Sequence, residues 1–133
     1  MVSPRFHESL AKGIDLFNRR EFYEAHEAWE EGWIDELSDS RVLLQGLIQI
    51  AAGFFKLQCA APIGTVKLLA LGLAKLRPFV GHSLGVDLEA LLPEVDRWHA
   101  QAKQLVAENR ADFDPSTFPK IGYTHPSGLM NGR

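Results

Sequence analysis

The sequence predicts an all-α fold: one bundle of about five helices around an apolar central third helix, followed by an extended C-terminal tail. Three observations predict it. Apolar residues recur at helical spacing along most of the chain, and no alternating strand pattern of useful length interrupts them. Short breaks rich in turn residues separate these segments, at Asn18, at Ser38-Asp39-Ser40, at 60–64 and at 81–85. Thirteen of the sixteen residues at 42–57 are apolar or glycine, on all sides, as befits a helix surrounded by others.

Phe6, Leu10, Ile14 and Phe17 form one apolar stripe, so a first helix spans 4–17, with Pro4 in the first turn where a missing N–H does no harm. Asn18 and Glu21 have the spacing of an N-cap and its N3 partner, which starts a second helix ending near Leu37. Ser38-Asp39-Ser40 reads as a turn and N-cap for the third helix. Within that helix Gly46 and Gly53 cost roughly 1 kcal/mol each relative to alanine, so they mark close helix approach or space beside Gln45 and Gln49.

A fourth helix follows the loop at 60–64 and runs to about Arg77, with Val66, Leu69, Leu73 and Leu76 on one face and Pro78 forcing its end. Leu68 and Leu71 point elsewhere, which leaves this helix surface for self-association or for a wide groove. Asp87 can cap a fifth helix that turns Leu88, Leu91, Leu92, Val95, Trp98, Ala102 and Leu105 inward, with Pro93 expected to kink or divide it. The expected division is a bundle at 1–111 and a Pro/Gly-containing tail at 112–133. Phe113, Phe118, Ile121 and Tyr123 anchor the tail on the bundle, and its end frays at 128–133.

The composition excludes several classes of function. A net charge of −3 with scattered basic residues argues against nucleic-acid binding through a phosphate-tracking patch. The single cysteine, Cys59, excludes an internal disulfide and a cysteine-rich zinc site. The most apolar stretch is too short and too polar to cross a bilayer, and no signal-peptide run appears in 1–20. A cytoplasmic protein without membrane partners is the expectation, and no cofactor is identified by these residues.

The stretch from Phe22 to Trp33, FYEAHEAWEEGW, carries the chemistry. On a helix it sets His26 within about 60° of Phe22, Trp29, Trp33 and Leu37, with Glu30 beside it. Glu27 lies at the border of that face, and Glu24 and Glu31 on the far side. An ionisable pair centred on an apolar face must be satisfied by partners. It is therefore either a structural knot in the core or the lining of a pocket.

Together with Phe17-Asn18, this EAHE-type helix and the following run Gln45-Gly46-Leu47-Ile48-Gln49-Ile50-Ala51-Ala52 resemble the domain-of-unknown-function family 309. The resemblance covers roughly residues 4–80. It implies a small helical bundle of bacterial or archaeal type in which His26, Glu27, Glu30, Gln45 and Gln49 are the marker polar residues. It implies no activity. Lys56 stands about where a histidine is common in that family.

Three readings of the motif follow. His26 and Glu30 in a pocket walled by Tyr23, Trp29 and Trp33, with Glu27, Gln45 and Gln49 nearby, would bind a small polar ligand. There His26 would be the base and Glu30 would orient it. The HExxE spacing from His26 to Glu30 would alternatively hold a metal for hydrolysis, with further ligands from Glu27, His7, His82 or His99. The third reading is a buried His-Glu-Gln network in a non-enzymatic adaptor. The tetratricopeptide-like cadence of 11–33 and the spare leucines of the fourth helix belong to that reading.

Overall fold

Where the apolar stripes meet, helices form and stack in chain order. In this computed structural model residues 2–125 are described, and the fraying expected at 128–133 lies outside them. The described residues hold five α-helices: α1 Phe6–Asn18, α2 Phe22–Asp35, α3 Arg41–Gln58, α4 Pro62–Leu76 and α5 Leu88–Ala107. Short 3-10 turns at Arg77–Phe79 and Pro115–Thr117 follow α4 and α5. The sequence-predicted all-α bundle is the observed fold.

Each consecutive pair of helices is antiparallel. Arg5 reaches Asp35 at one end of α1 and α2, while Phe17 meets Phe22 at the other. Phe22 stacks on Phe54 and Arg41 lies over Trp33, which fixes α2 against α3. Arg77 pairs with Asp96 across α4 and α5. The core is an aromatic chain through four elements and the tail: Phe17, Phe22, Phe54, Trp98 and Phe118, with successive ring centroids 4.9 to 5.9 Å apart. Such edge-on and offset pairs contribute beyond their buried area.

α3 is central, packed between α2 and α4. Its glycines are there for close approach: a Cβ on Gly46 would stand 2.8 Å from the Leu76 side chain, and one on Gly53 would stand 2.8 Å from Leu69. Thr65 of α4 is buried in the same seam and donates its hydroxyl to the Gly53 carbonyl at 2.9 Å.

Several local expectations differ from the outcome. Asn18 does not cap α2; Glu21 stands at that position without a side-chain cap, and the Asn18 amide bonds the Ile121 backbone instead. α1 is stopped by Arg20 in the left-handed region at φ 66°, with Glu21 N–H returning to the Leu16 carbonyl. Ala60 and Asn109 close α3 and α5 in the same way, with N–H groups of Ala61 and Arg110 bonded to Lys56 and Leu105. α4 begins at Pro62, which takes the first helical position, so the preceding loop is shorter than expected. Pro93 does not divide α5, which is one continuous helix capped by Asp87 accepting from Ala90 N–H at 3.1 Å.

Beyond α5 the chain folds back over the bundle. Phe118 and Ile121 are buried, and Asp87 N–H donates to the Gly122 carbonyl while Thr124 N–H donates to that of Gly85. No helix among the described residues is long and apolar enough to cross a membrane.

Candidate functional site

α2 packs against α1 on one side and α3 on the other, and its small residues mark the closest approach. A Cβ on Gly13 of α1 would fall 2.1 Å from the Trp29 indole nitrogen, and Gly32 lies against Ser9 and Leu44. The buried stripe is therefore Phe22, Ala25, Ala28, Trp29 and Gly32. At 100° per residue its centre is roughly 90° round from His26. The aromatic residues alone suggest a face centred on His26; the packing moves that residue to the edge of the buried surface.

The consequences differ along the helix. Trp29 is fully buried and donates its indole N–H to the Leu10 carbonyl at 3.1 Å, so it is core and not a pocket wall. Tyr23 is exposed, with its ring 5.1 Å from His26 and 5.4 Å from Phe55 of α3. Trp33 is half-buried under the Arg41 guanidinium, 4.2 Å from the ring centroid. Leu37 falls beyond the end of α2 and is exposed rather than inward.

His26 itself is neither a core knot nor a free surface residue: its side chain is 21 % exposed, that of Glu30 48 %. Nδ1 lies 2.8 Å from the Tyr23 carbonyl. A carbonyl only accepts, so Nδ1 carries the proton and Nε2 is the basic nitrogen. Nε2 faces Glu30 Oε1 at 3.6 Å, beyond direct hydrogen-bond length but inside ion-pair range once the ring is protonated.

Of the residues named from sequence, the structure brings His26 and Glu30 together. Gln45 and Gln49, both half-buried on α3, make no hydrogen bond to either among the described residues, so the four-residue network does not form. The Gln49 side-chain amide oxygen is buried without a partner, as are the Trp33 indole nitrogen and Arg41 Nε. Glu27 is exposed, as are Glu24 and Glu31. No group of three or more histidine, cysteine, aspartate or glutamate side chains is placed to hold a metal among the described residues. His7 sits against Phe6 and His125, far along the chain from the candidate HExxE pair. The larger cavities lined by described residues lie elsewhere, along α5 and between α4 and α5.

Two neighbours of the site, Phe55 and Arg41, were not legible as such. Phe55 adjoins the buried Phe54 and looks like more core in a helix that is apolar on nearly all sides. Arg41 precedes the apolar run and reaches back eight residues to Trp33 through the turn.

A second buried carboxylate stands apart from this site. Glu36 is 2 % exposed just after α2. Burial pushes its carboxyl up, but the Ser38 hydroxyl and the backbone N–H groups of Ser3 and Ser38 donate to it and outweigh that, holding it at about 2.

Comparison with known families places this arrangement. Residues 10–68 match the family model described as Domain of unknown function (DUF309), which takes in most of α1, all of α2 and α3 and the first half of α4. No curated protein matches the chain.

Proposed function

We propose, on the premise that residues 10–68 are a DUF309 domain, that the chain is a small-molecule-binding protein centred on His26 and Glu30. The observation that supports this is the division of labour within one imidazole. Nδ1 is committed to the Tyr23 carbonyl, and Nε2 is left facing a carboxylate 3.6 Å away. With the ring neutral, two acceptors confront each other without a proton between them. An ammonium group bridging them, with two N–H donors to offer, satisfies both.

The surroundings favour a cationic ligand. Glu27 is exposed on the same helix, and the Tyr23 and Phe55 rings offer aromatic faces for an ammonium group. Gln49 stands on the neighbouring helix with its side-chain amide oxygen buried and unpaired. If the ligand reacts, His26 takes a proton from its donor group and Glu30 stabilises the imidazolium that forms. Gln45 and Trp33 shape the approach in this reading rather than touching the ligand. The unpaired Cys59 and the resemblance to bacterial and archaeal proteins support a reducing, cytoplasmic setting.

Titration with ethanolamine, followed through the His26 ring signals by NMR, tests the proposal. Shifts confined to His26, Tyr23 and Phe55 are expected, and they should vanish in His26→Gln and Glu30→Gln proteins of unchanged melting temperature. Shifts that persist in both variants, or none at millimolar amine, would overturn it.

A further inference from the structure

The antiparallel pair α4 and α5 leaves an apolar groove of about 310 Å³ lined by Ile63, Val66, Val106 and Ala107. Ile63 is 60 % exposed and Val106 38 %, so the groove has no cover. Lys67 and Lys103 stand on its two rims. The arginines that follow α4 and lie on or just beyond α5 are committed: Arg77 to Asp96, Arg97 to Glu94, and Arg110 to Glu108 and Asp112. Neither lysine takes part in an ion pair among the described residues. The groove is thus apolar at its floor and positively charged at its edges.

The opposite character appears where α2 ends. Leu37 is 95 % exposed and Ile34 68 %, the two most exposed large apolar side chains among the described residues. Ile34 lies on α2 away from its buried face, and Leu37 projects because α2 stops at Asp35, so the chain turns before Leu37 can reach the core. Glu31 and Asp39 flank this corner and are exposed, whereas Asp35 is held by Arg5. The corner is a protruding apolar knob with free carboxylates on both sides.

We infer that the knob of one copy, Ile34 and Leu37, seats in the α4–α5 groove of a second copy, with Glu31 and Asp39 meeting Lys67 and Lys103. Each patch supplies what the other lacks, in shape, in apolar surface and in sign of charge. The knob and the groove are different patches, so the contact closes as a dimer if a two-fold axis makes it twice, and otherwise propagates. This contact does not involve His26 or Glu30, so it stands or falls separately from the ligand site.

Sedimentation equilibrium on the full chain tests it with two charge-reversed proteins, K67E/K103E in the groove and E31K/D39K at the corner, each checked for folding by circular dichroism. Wild-type protein should self-associate reversibly, and each variant alone should lose about tenfold or more in association constant. An equimolar mixture of the two variants should associate again, because each reversed patch meets its reversed counterpart. A wild-type protein that stays monomeric to about 1 mM, variants that associate as tightly as wild type, or a mixture that fails to recover association would each overturn the inference. Recruitment of the monomer to anionic vesicles through the two lysines would also overturn it, giving the groove to lipid.

Discussion

Gly72 of α4 crosses α3 at Gly46 so closely that a Cβ on Gly72 would stand 2.8 Å from the Gly46 carbonyl oxygen and 2.6 Å from Ile50 Cδ1. A side-chain tip can move aside; a carbonyl held in the ladder of a central helix cannot without separating the two helices. Gly72→Ala should therefore destabilise the protein by about 1–3 kcal/mol, although alanine gains up to about 1 kcal/mol in helix propensity. Gly64→Ala is the control, since its Cβ would meet only the Lys56 side chain at 3.0 to 3.3 Å. Urea unfolding of the two variants should give opposite signs, and a neutral Gly72→Ala would show that the crossing is slack.

The left-handed stop of α3 offers a gain. Ala60 holds φ 60° at an exposed position where glycine would be unstrained. Ala60→Gly should raise stability by about 1 kcal/mol, read as a higher urea midpoint at constant slope. A lower midpoint would mean that unfolded-state entropy outweighs the relief of strain.

Asn18 ties two parts of the chain 103 residues apart: its amide donates to the Ile121 carbonyl at 2.9 Å and its oxygen accepts from Ile121 N–H at 2.7 Å. Asn18→Ala should cost about 1–2 kcal/mol and raise hydrogen exchange at Ile121 and Thr124 before it affects α3. Asn18→Asp should be comparably damaging, because it keeps the acceptor but sets a carboxylate against a carbonyl. Unchanged exchange at Ile121 would show that Phe118 and Ile121 hold the segment by packing alone.

Acid stability should carry the mark of Glu36. Its folded value of about 2 lies below the ordinary 4.5, so the unfolded chain binds the extra proton in that window. The stabilisation is fully present above pH 4.5 and drains away as pH falls towards 2. Melting temperatures of wild type and Glu36→Gln should converge over that interval, and a constant difference would remove the carboxylate from the account.

His7 acts at the neutral end. Burial lowers its value below 6.5, His125 lowers it further, and Glu36 pulls the other way. Its Nδ1 is buried without a partner. The unfolded chain therefore takes up the proton first as pH drops through 6.5, and stability should begin to fall there. His7→Phe should flatten this part of the profile, with thermal melts between pH 7 and 5 as the readout; an unaltered slope would contradict it.

By itself the sequence determined the helical class, the central place of α3, the inward face of α5, the Asp87 cap and the family likeness. Each of these depends on local chemistry or on a periodicity that one helix carries alone. Leu88 through Leu105 repeat at helical spacing whatever packs against them, and an α3 that is apolar on nearly all sides has nowhere to go but the middle. What only the tertiary structure decided is how each helix is rotated about its own axis and which distant backbone a polar side chain meets. The aromatic residues of α2 centre its apolar face on His26, yet Ala25, Ala28 and Gly32 let α1 and α3 come closest elsewhere and leave His26 at the edge. Asn18 looks like a helix cap until Ile121 arrives beside it, and Leu37 looks inward until α2 ends two residues early. Rotation and long-range pairing follow from the shape of two surfaces fitted together, and one stretch of chain specifies only its own.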